Sequence, residues 1–170
     1  MPQSSSVRQF QPSEWKTYKG LRLRALADSP DAFGNTLANE IERPDAQWAE
    51  SLMAASQSGF DLPLIAFAGN EPAGLAWAKV DSADSSAIHL FQMWVAPEHR
   101  GQGLGRLLLS TSIQWAKARG AKSISLGVTC GDTSAVHLYT SAGFEPIEMP
   151  RPLRPGSSVQ AQSMRLEFHQ

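Results

Sequence analysis

A strand-to-helix junction with three alternating glycines constrains this chain more than any other feature. The stretch is Val95-Ala96-Pro97-Glu98-His99-Arg100-Gly101-Gln102-Gly103-Leu104-Gly105-Arg106. Glycine lets the backbone turn sharply and lets a ligand approach it closely. The first N–H groups of a helix have no partner within it, and the helix dipole adds positive potential at that end. A loop of this kind is an anion site, and phosphate is its usual occupant. Two common phosphate loops fail at specific residues. A P-loop needs Lys and then Ser or Thr after its last glycine, where this chain has Arg106 and Leu107. A dinucleotide fingerprint needs a glycine three residues after Gly103, where this chain has Arg106 again. A tight turn without a ligand is the alternative reading of the glycines alone.

The flanking pattern predicts an α/β fold, a mixed sheet flanked by helices. A first strand is expected from Val7 to Phe10, then a helix capped by Ser13 and running to about Asp28. Ser29-Pro30-Asp31 stops it, and residues from about Ala32 to Arg43 read as irregular. Pro44 suits the first turn of another helix, with Trp48 and Leu52 on one face. Leu62 to Ala68 and Ala73 to Val80 form a hairpin about the turn at Gly69-Asn70-Glu71-Pro72. Ala87 to Val95 is a strand. Leu104, Leu107, Leu108, Thr111, Trp115 and Ala118 recur at helical spacing up to Gly120. Ser123 to Thr129 is a strand, and Thr133 to Ala142 a helix closed by Gly143. Phe144 starts a strand, Pro150 to Ser158 is a loop, and Met164, Leu166 and Phe168 alternate in a last strand.

With 170 residues, a single domain is expected over the whole length, with residues 1–6 as a frayed tail. Hydrophobic residues at 42% and charged residues at 18% argue against disorder. A net charge of -1 gives no case for a nucleic-acid partner. No apolar run approaches the roughly 18 residues that span a membrane. The start lacks the basic and apolar regions of a secretion signal, and Cys130 is the sole cysteine. These features fit a cytoplasmic protein, and a homodimer is left open.

Arg100-x-x-Gly103-x-Gly105 resembles the pyrophosphate-binding loop of the GNAT superfamily of CoA-dependent N-acetyltransferases. A second stretch, Ala135-x-x-Leu138-Tyr139-x-x-x-Gly143-Phe144, resembles that family's later signature and falls one strand after the glycine loop. Arg24-Ala25-Leu26, Ser29-Pro30 and Ala32-Phe33-Gly34 resemble a segment near the start of many members. The resemblance implies the GNAT-type fold, in which two parallel central strands, here Ala87 to Val95 and Ser123 to Thr129, splay apart to admit the pantetheine arm. It implies acetyl-CoA as co-substrate, no metal, and direct attack by an amine with both reactants bound, a catalysis by proximity.

The resemblance also implies residue roles. Met93, Trp94 and Val95 would offer backbone groups to the pantetheine, with the Val95 N–H facing the thioester oxygen. Arg100, Gly101, Gln102, Gly103, Leu104, Gly105 and Arg106 would hold the pyrophosphate. Tyr139 matches the family's general acid, which protonates the departing thiolate; by spacing alone it reads first as a core aromatic. Asp132 stands where members often carry Asn, and it could cap its helix or accept from the pantetheine amide. Gly127 stands where members acting on protein N-termini can place a Glu.

Other residues have plainer readings beside functional ones. Histidine takes protons near neutral pH, so His89 is a candidate base, or else a surface residue. Glu40 and Glu42 border the acceptor side in the family, or are simply solvated. Acidic residues between 28 and 50 form a rim that could attract a cation, while Arg151 and Arg154 could meet an acidic group. His99 reads as exposed and Cys130 as buried filler. No His, Cys, Asp and Glu cluster has zinc spacing. The dispersed tryptophans suggest packing. Three functions fit: transfer of acetyl to a primary amine of a small molecule, peptide or protein; a non-catalytic acyl-CoA-binding sensor or interaction module; and a transferase preferring longer acyl chains.

Overall fold

The computed structural model describes residues 4–169. Its centre is an eight-stranded sheet. Strands β1 (Ser5–Gln9), β2 (Asp61–Ala68), β3 (Glu71–Val80) and β4 (Ala87–Val95) follow one another antiparallel. β5 (Ser123–Thr129) then lies parallel to β4, the sole parallel pair among the described residues. β8 (Gln160–Glu167) pairs antiparallel with β5, and the two-residue strands β6 (Glu145–Pro146) and β7 (Arg151–Pro152) lie along its far edge. The helices are α1 (Trp15–Asp28), α2 (Leu37–Ile41), α3 (Asp45–Ser58), α4 (Leu104–Ala118) and α5 (Thr133–Ser141). The mixed sheet flanked by helices agrees with the sequence reading, and no described helix is long and apolar enough to cross a membrane.

Two cores form because strand side chains alternate between faces. Leu64 and Ala66 of β2, Ala76 and Ala78 of β3, and Ile88 and Leu90 of β4 pack with Leu104, Leu108 and Leu109 of α4. On the other face Ile65, Leu75 and Trp94 pack with Tyr18, Leu21, Ala25 and Leu26 of α1 and with Trp48 and Leu52 of α3. In β4 this alternation breaks. Ile88 and Leu90 face α4, yet Trp94, of the same parity, faces α1. The cause is a bulge: Leu75 pairs with Trp94 and Trp77 with Phe91, so Gln92 and Met93 together oppose Ala76. An extra residue reverses every later side chain. Gln92 adopts a positive φ of 60° to make the bend, and its Oε1 accepts a 2.9 Å hydrogen bond from the Tyr18 hydroxyl.

Several elements depart from the sequence reading. The expected tail at residues 1–6 is ordered from Ser5, which pairs with Ala68 in β1; the rest of it before Ser4 lies outside the described residues. Ser13 caps nothing: a short 3-10 turn, Pro12–Glu14, precedes α1, and Glu14 reaches back to the Gln11 N–H at 2.8 Å. The stretch expected to be irregular contains α2, which Thr36 caps through the Asn39 N–H. The buried stripe of α4 runs through Leu104, Leu108, Ser112 and Ala116, one position from the expected Leu107, Thr111 and Trp115, which are half-buried. Apolar residues occupy both stripes, so spacing alone does not choose between them.

Gly74 faces the bulge. A Cβ placed there would lie 2.6 Å from the Trp94 carbonyl oxygen and 3.3 Å from the Val95 Cα, both backbone atoms that do not swing aside. Gly74→Ala is therefore expected to cost about 1–3 kcal/mol through overpacking. Urea denaturation checks this, and an unchanged midpoint would mean that β3 yields freely.

Candidate active site

Pairing between β4 and β5 runs from Ala87↔Ser123 to Leu90↔Leu126 and stops there. Beyond it β4 stays with β3 through Gly74↔Val95, and β5 stays with β8 through Thr129↔Ala161. The strands separate because each is held on its outer side and the bulge turns β4 away. The gap opens into a cavity of about 700 Å³ between Phe91, Gln92 and Met93 on one wall and Leu126 to Thr129 on the other. α5 supplies Ala135 and Tyr139, and the segment after α1 supplies Phe33 and Asn35. Gly127 leaves this wall open, since a Cβ there would touch nothing within 4 Å.

The exposed backbone of β4 has a direction. The Ala96 N–H donates to the Ala73 carbonyl at 2.8 Å. N–H groups of an extended strand alternate sides, so the Val95 N–H points away from β3, toward the gap. The glycine loop follows. Pro97–His99 forms a 3-10 turn, and Gly101 and Gly103 take φ of 78° and 84°. Gly103 is the N-cap of α4 and provides no side-chain cap. The first N–H groups of α4 are thus unfilled by side chains, and the space around Gly101 and Gly103 is open. Both features suit an anion such as a pyrophosphate. Gln102 and Arg106 are exposed beside this end, while Leu104 anchors the helix in the core.

Arg100 differs from the other loop residues. Its Nη2 donates to Asp28 Oδ2 at 2.8 Å and its Nε to the Val95 carbonyl at 2.9 Å, so its guanidinium ties the loop to α1 and to β4. Asp28 Oδ2 also accepts from Ser29 Oγ at 2.7 Å and from Trp94 Nε1 at 3.1 Å. The hydrogen bonds from Ser29 and Trp94, then that from Arg100, hold this carboxyl below the usual aspartate range. The sequence reading placed Asp28 only in an acidic rim. Its partners in β4 and the loop lie 66 and 72 residues away, and no local pattern signals them.

Tyr139 is 6% exposed, lines the cavity and packs against Phe144 at 5.9 Å between ring centroids. Burial pushes its phenol far above the ordinary value, and the charge of Asp132 adds to this. The hydroxyl is therefore neutral across the physiological range, a proton donor and not a base. Asp132 caps α5 by accepting from the Ala135 N–H at 3.3 Å, and it also lines the cavity. The two readings given for it are compatible.

The remaining candidates separate. His89 stands outside the cavity lining, with Nε2 2.8 Å from Asp81 Oδ1. Glu40 is taken by Asn35 at 2.6 Å and Arg43 at 3.4 Å, and Glu42 is exposed. Arg154 donates to the carbonyls of Pro30 and Phe33 at 2.7 and 2.8 Å, stapling the loop before α2, while Arg151 pairs with Glu148 at the surface. Two expectations are corrected. Cys130 is exposed, since β5 ends before it. His99 is buried at 7%, because the 3-10 turn folds it inward, and its Nε2 lies 3.4 Å from Glu71. Folding also gathers Glu71, Glu98 and His99, a grouping absent from the spacing, but Arg24 holds Glu98 at 2.7 Å. Arg22, which the sequence reading passed over, lines the cavity.

Comparison with known proteins follows the same outline. The sequence model described as the acetyltransferase (GNAT) family matches residues 25–144. A protein named mycothiol acetyltransferase, from Thermobispora bispora, is 30% identical over 149 residues, which is 85% of this chain and 48% of that protein. The chain spans about half the length of the curated relatives it matches. A GNAT-family acetyltransferase from Streptococcus pneumoniae superposes with a TM-score of 0.83 at 22% identity, covering 98% of this chain and all of that one, 100%. A putative acetyltransferase from Salmonella typhimurium, solved with its cofactor acetyl-CoA, gives 0.81 at 19% identity, covering 98% and 95%. At these identities the structural likeness speaks for the fold.

The Asp28 junction makes a pH prediction. Its folded pKa lies below its unfolded one, near 3.8. Its stabilisation is present above that value and is lost as pH falls through the lower, folded pKa. Asp28→Asn is expected to unfold more easily than the parent at neutral pH. The difference between the two is expected to hold down to about pH 5 and to shrink below about pH 4. Urea titrations of both proteins across that range measure it, and a pH-independent difference would refute the charge-based account.

Proposed function

The chain belongs to the GNAT acetyltransferase family, and from that premise we propose that it transfers the acetyl group of acetyl-CoA directly to a primary amine, with both reactants bound together. The observation that carries the reading is the parting of β4 from β5 beyond Leu90, beside an uncapped helix start and a buried tyrosine. The relatives are acetyltransferases by name, and mycothiol is named for them. At 30% identity over about half their length, the reading for this chain stays with an amine of a small molecule, peptide or protein.

In this reading the N–H groups opening α4, with Gly101 to Arg106 around them, hold the pyrophosphate. The role of Arg100 is to fix the loop through Asp28 and Val95. Met93 and Val95 present backbone to the pantetheine arm, whereas the backbone of Trp94, paired with Leu75, turns toward β3. The Val95 N–H stabilises the negative charge that grows on the thioester oxygen as the amine nitrogen attacks the carbonyl carbon. When the carbon–sulfur bond breaks, Tyr139 gives its proton to the sulfur, and the proton that the new amide nitrogen sheds passes through solvent and restores the phenol. A phenol is ordinarily a weaker acid than a thiol, about 10 against about 8.5. The cavity that raises the phenol further also disfavours a bare thiolate, which keeps the transfer feasible. Holding the two reactants in one cavity supplies the proximity term. His89 is assigned no part, since it is bonded to Asp81 outside the cavity.

Calorimetric titration with acetyl-CoA, with NAD and ATP as controls, tests the binding half. Saturable binding of acetyl-CoA alone is expected, and no binding by the folded protein would sink the assignment. Release of CoA with an amine acceptor separates an enzyme from a mere acyl-CoA-binding module. Tyr139→Phe is expected to lower kcat by about 10²-fold or more while leaving the acetyl-CoA Kd nearly unchanged. Because Tyr139 stays protonated, the parent enzyme's kcat is expected to show no fall from this residue below about pH 10. A full-rate Tyr139→Phe enzyme would remove the residue from the chemistry.

A further inference from the structure

Positions 18, 22 and 26 of α1 lie four apart and therefore share a helix face. Tyr18 and Leu26 on that face are buried aromatic and aliphatic residues, at 3% and 1% exposure. Arg22 sits between them at 5%. Its guanidinium stacks over the Phe33 ring at 4.8 Å. Nε and Nη1 are shielded from solvent and have no protein acceptor among the described residues. The nearest acidic influence on it, Glu40, is already engaged by Asn35 and Arg43. Every other buried side-chain donor or acceptor among the described residues finds a partner, except His99 Nε2, which still lies 3.4 Å from Glu71.

A buried guanidinium without an acceptor destabilises a fold, since its donors have lost water and gained nothing. Arginine stays charged even when burial lowers its pKa, as it does here. Arg22 lines the same cavity that holds Tyr139 and the parted strands. It lies on the α1 side, next to Phe33, whereas Tyr139 and Asp132 enter from α5. The Tyr18 hydroxyl on the same helix face fixes Gln92 at the bulge, so α1 is rigidly registered to the strand wall.

Resting on the acetyltransferase reading, we propose that Arg22 is the anion-binding residue of the acceptor half of the cavity, and that the acceptor is a small amine bearing a carboxylate, such as a free amino acid. A carboxylate is flat, carries its charge on two oxygens and matches the guanidinium's donors. Its arrival gives the buried charge at the cavity wall a counter-ion that no described side chain supplies, and that difference favours an acid over its uncharged amide.

The test uses acetyl-CoA-dependent CoA release with the L-amino acids and with their amides as acceptors, for the parent, Arg22→Met and Arg22→Lys. The parent is expected to prefer at least one acid over its amide by about tenfold or more in kcat/KM. Arg22→Met is expected to erase that preference chiefly through KM, with the acetyl-CoA Kd unchanged and the melting temperature not lowered. Arg22→Lys keeps the charge and guards against a folding artefact; it is expected to retain part of the preference. Three results would overturn the proposal: amides used as well as acids, acids used equally by Arg22→Met, or no acid used although acetyl-CoA binds. Loss of stability in both variants with preference intact would assign Arg22 a packing role instead. Failure of acetyl-CoA to bind the parent would strike the underlying acetyltransferase reading, and calorimetry shows that separately.

Discussion

The extra residue in β4 governs the rest of the structure. Without it, Trp94 would face α4 and Val95 would face α1, and neither core would close as it does. With it, Trp94 crosses to the α1 face, where its indole meets Asp28, and Met93 and Val95 join the α4 face. The same bend takes β4 away from β5 after Leu90 and opens the cavity. A bulge in a sheet is usually a local irregularity. Here it sets the packing of two layers and the position of the site together. Gly74 on the facing strand is the steric condition for it, because the Trp94 carbonyl occupies the place of a Cβ.

Asp28 converts that backbone bend into a fixed loop. One carboxylate joins the end of α1, the strand wall through Trp94, and the glycine loop through Arg100. The loop itself cannot supply such rigidity, since Gly101 and Gly103 hold positive φ values in open space. Glycines give the backbone freedom to curl around an anion, and freedom costs entropy on ordering. Anchoring the loop from both strand and helix removes much of that cost before a ligand arrives, which is the logic of preorganisation. The buried face of α4 completes the frame, with Leu104 and Leu108 fixed in the core just behind the open helix start.

What the sequence made legible follows from the range over which each signal acts. The bounds of β4, β5 and α5 were readable to within a residue, because apolar runs between turn residues are local patterns. The glycine loop and Tyr139 were readable as short motifs. The strand expected to start at Phe144 is β6, one residue on, but β7, in the stretch read as a loop, was not readable, since it exists only by pairing with β8. Nor was α2, a five-residue helix set in a polar stretch. The bulge carried no local mark: Gln92 is an ordinary residue in a strand-like run, and its positive φ is stabilised by Tyr18 from 74 residues away. Arg22 did leave a trace. An arginine four residues from Tyr18 and four from Leu26 interrupts an apolar stripe, and such an interruption is the sequence form of a buried charge.

Three departures from ordinary folding rules meet at one cavity. Gln92 holds a backbone conformation that a side chain disfavours, Tyr139 is desolvated, and Arg22 keeps a charge without a partner. The first and the last of these lower the stability of the empty protein, and the two cores must offset them. Their chemistry also shares a direction. The α4 N-terminus, the Val95 N–H, the neutral Tyr139 hydroxyl and the Arg22 guanidinium are all donors or positive poles. Donors at the cavity, and at the helix start beside it, suit ligands that bring negative charge or develop it during reaction, with Asp61 and Asp132 the acidic members of the lining. In the proposed reading these donors divide the work: phosphate at the helix start beside the cavity, developing oxyanion at Val95, departing sulfur at Tyr139, and an anionic end at Arg22.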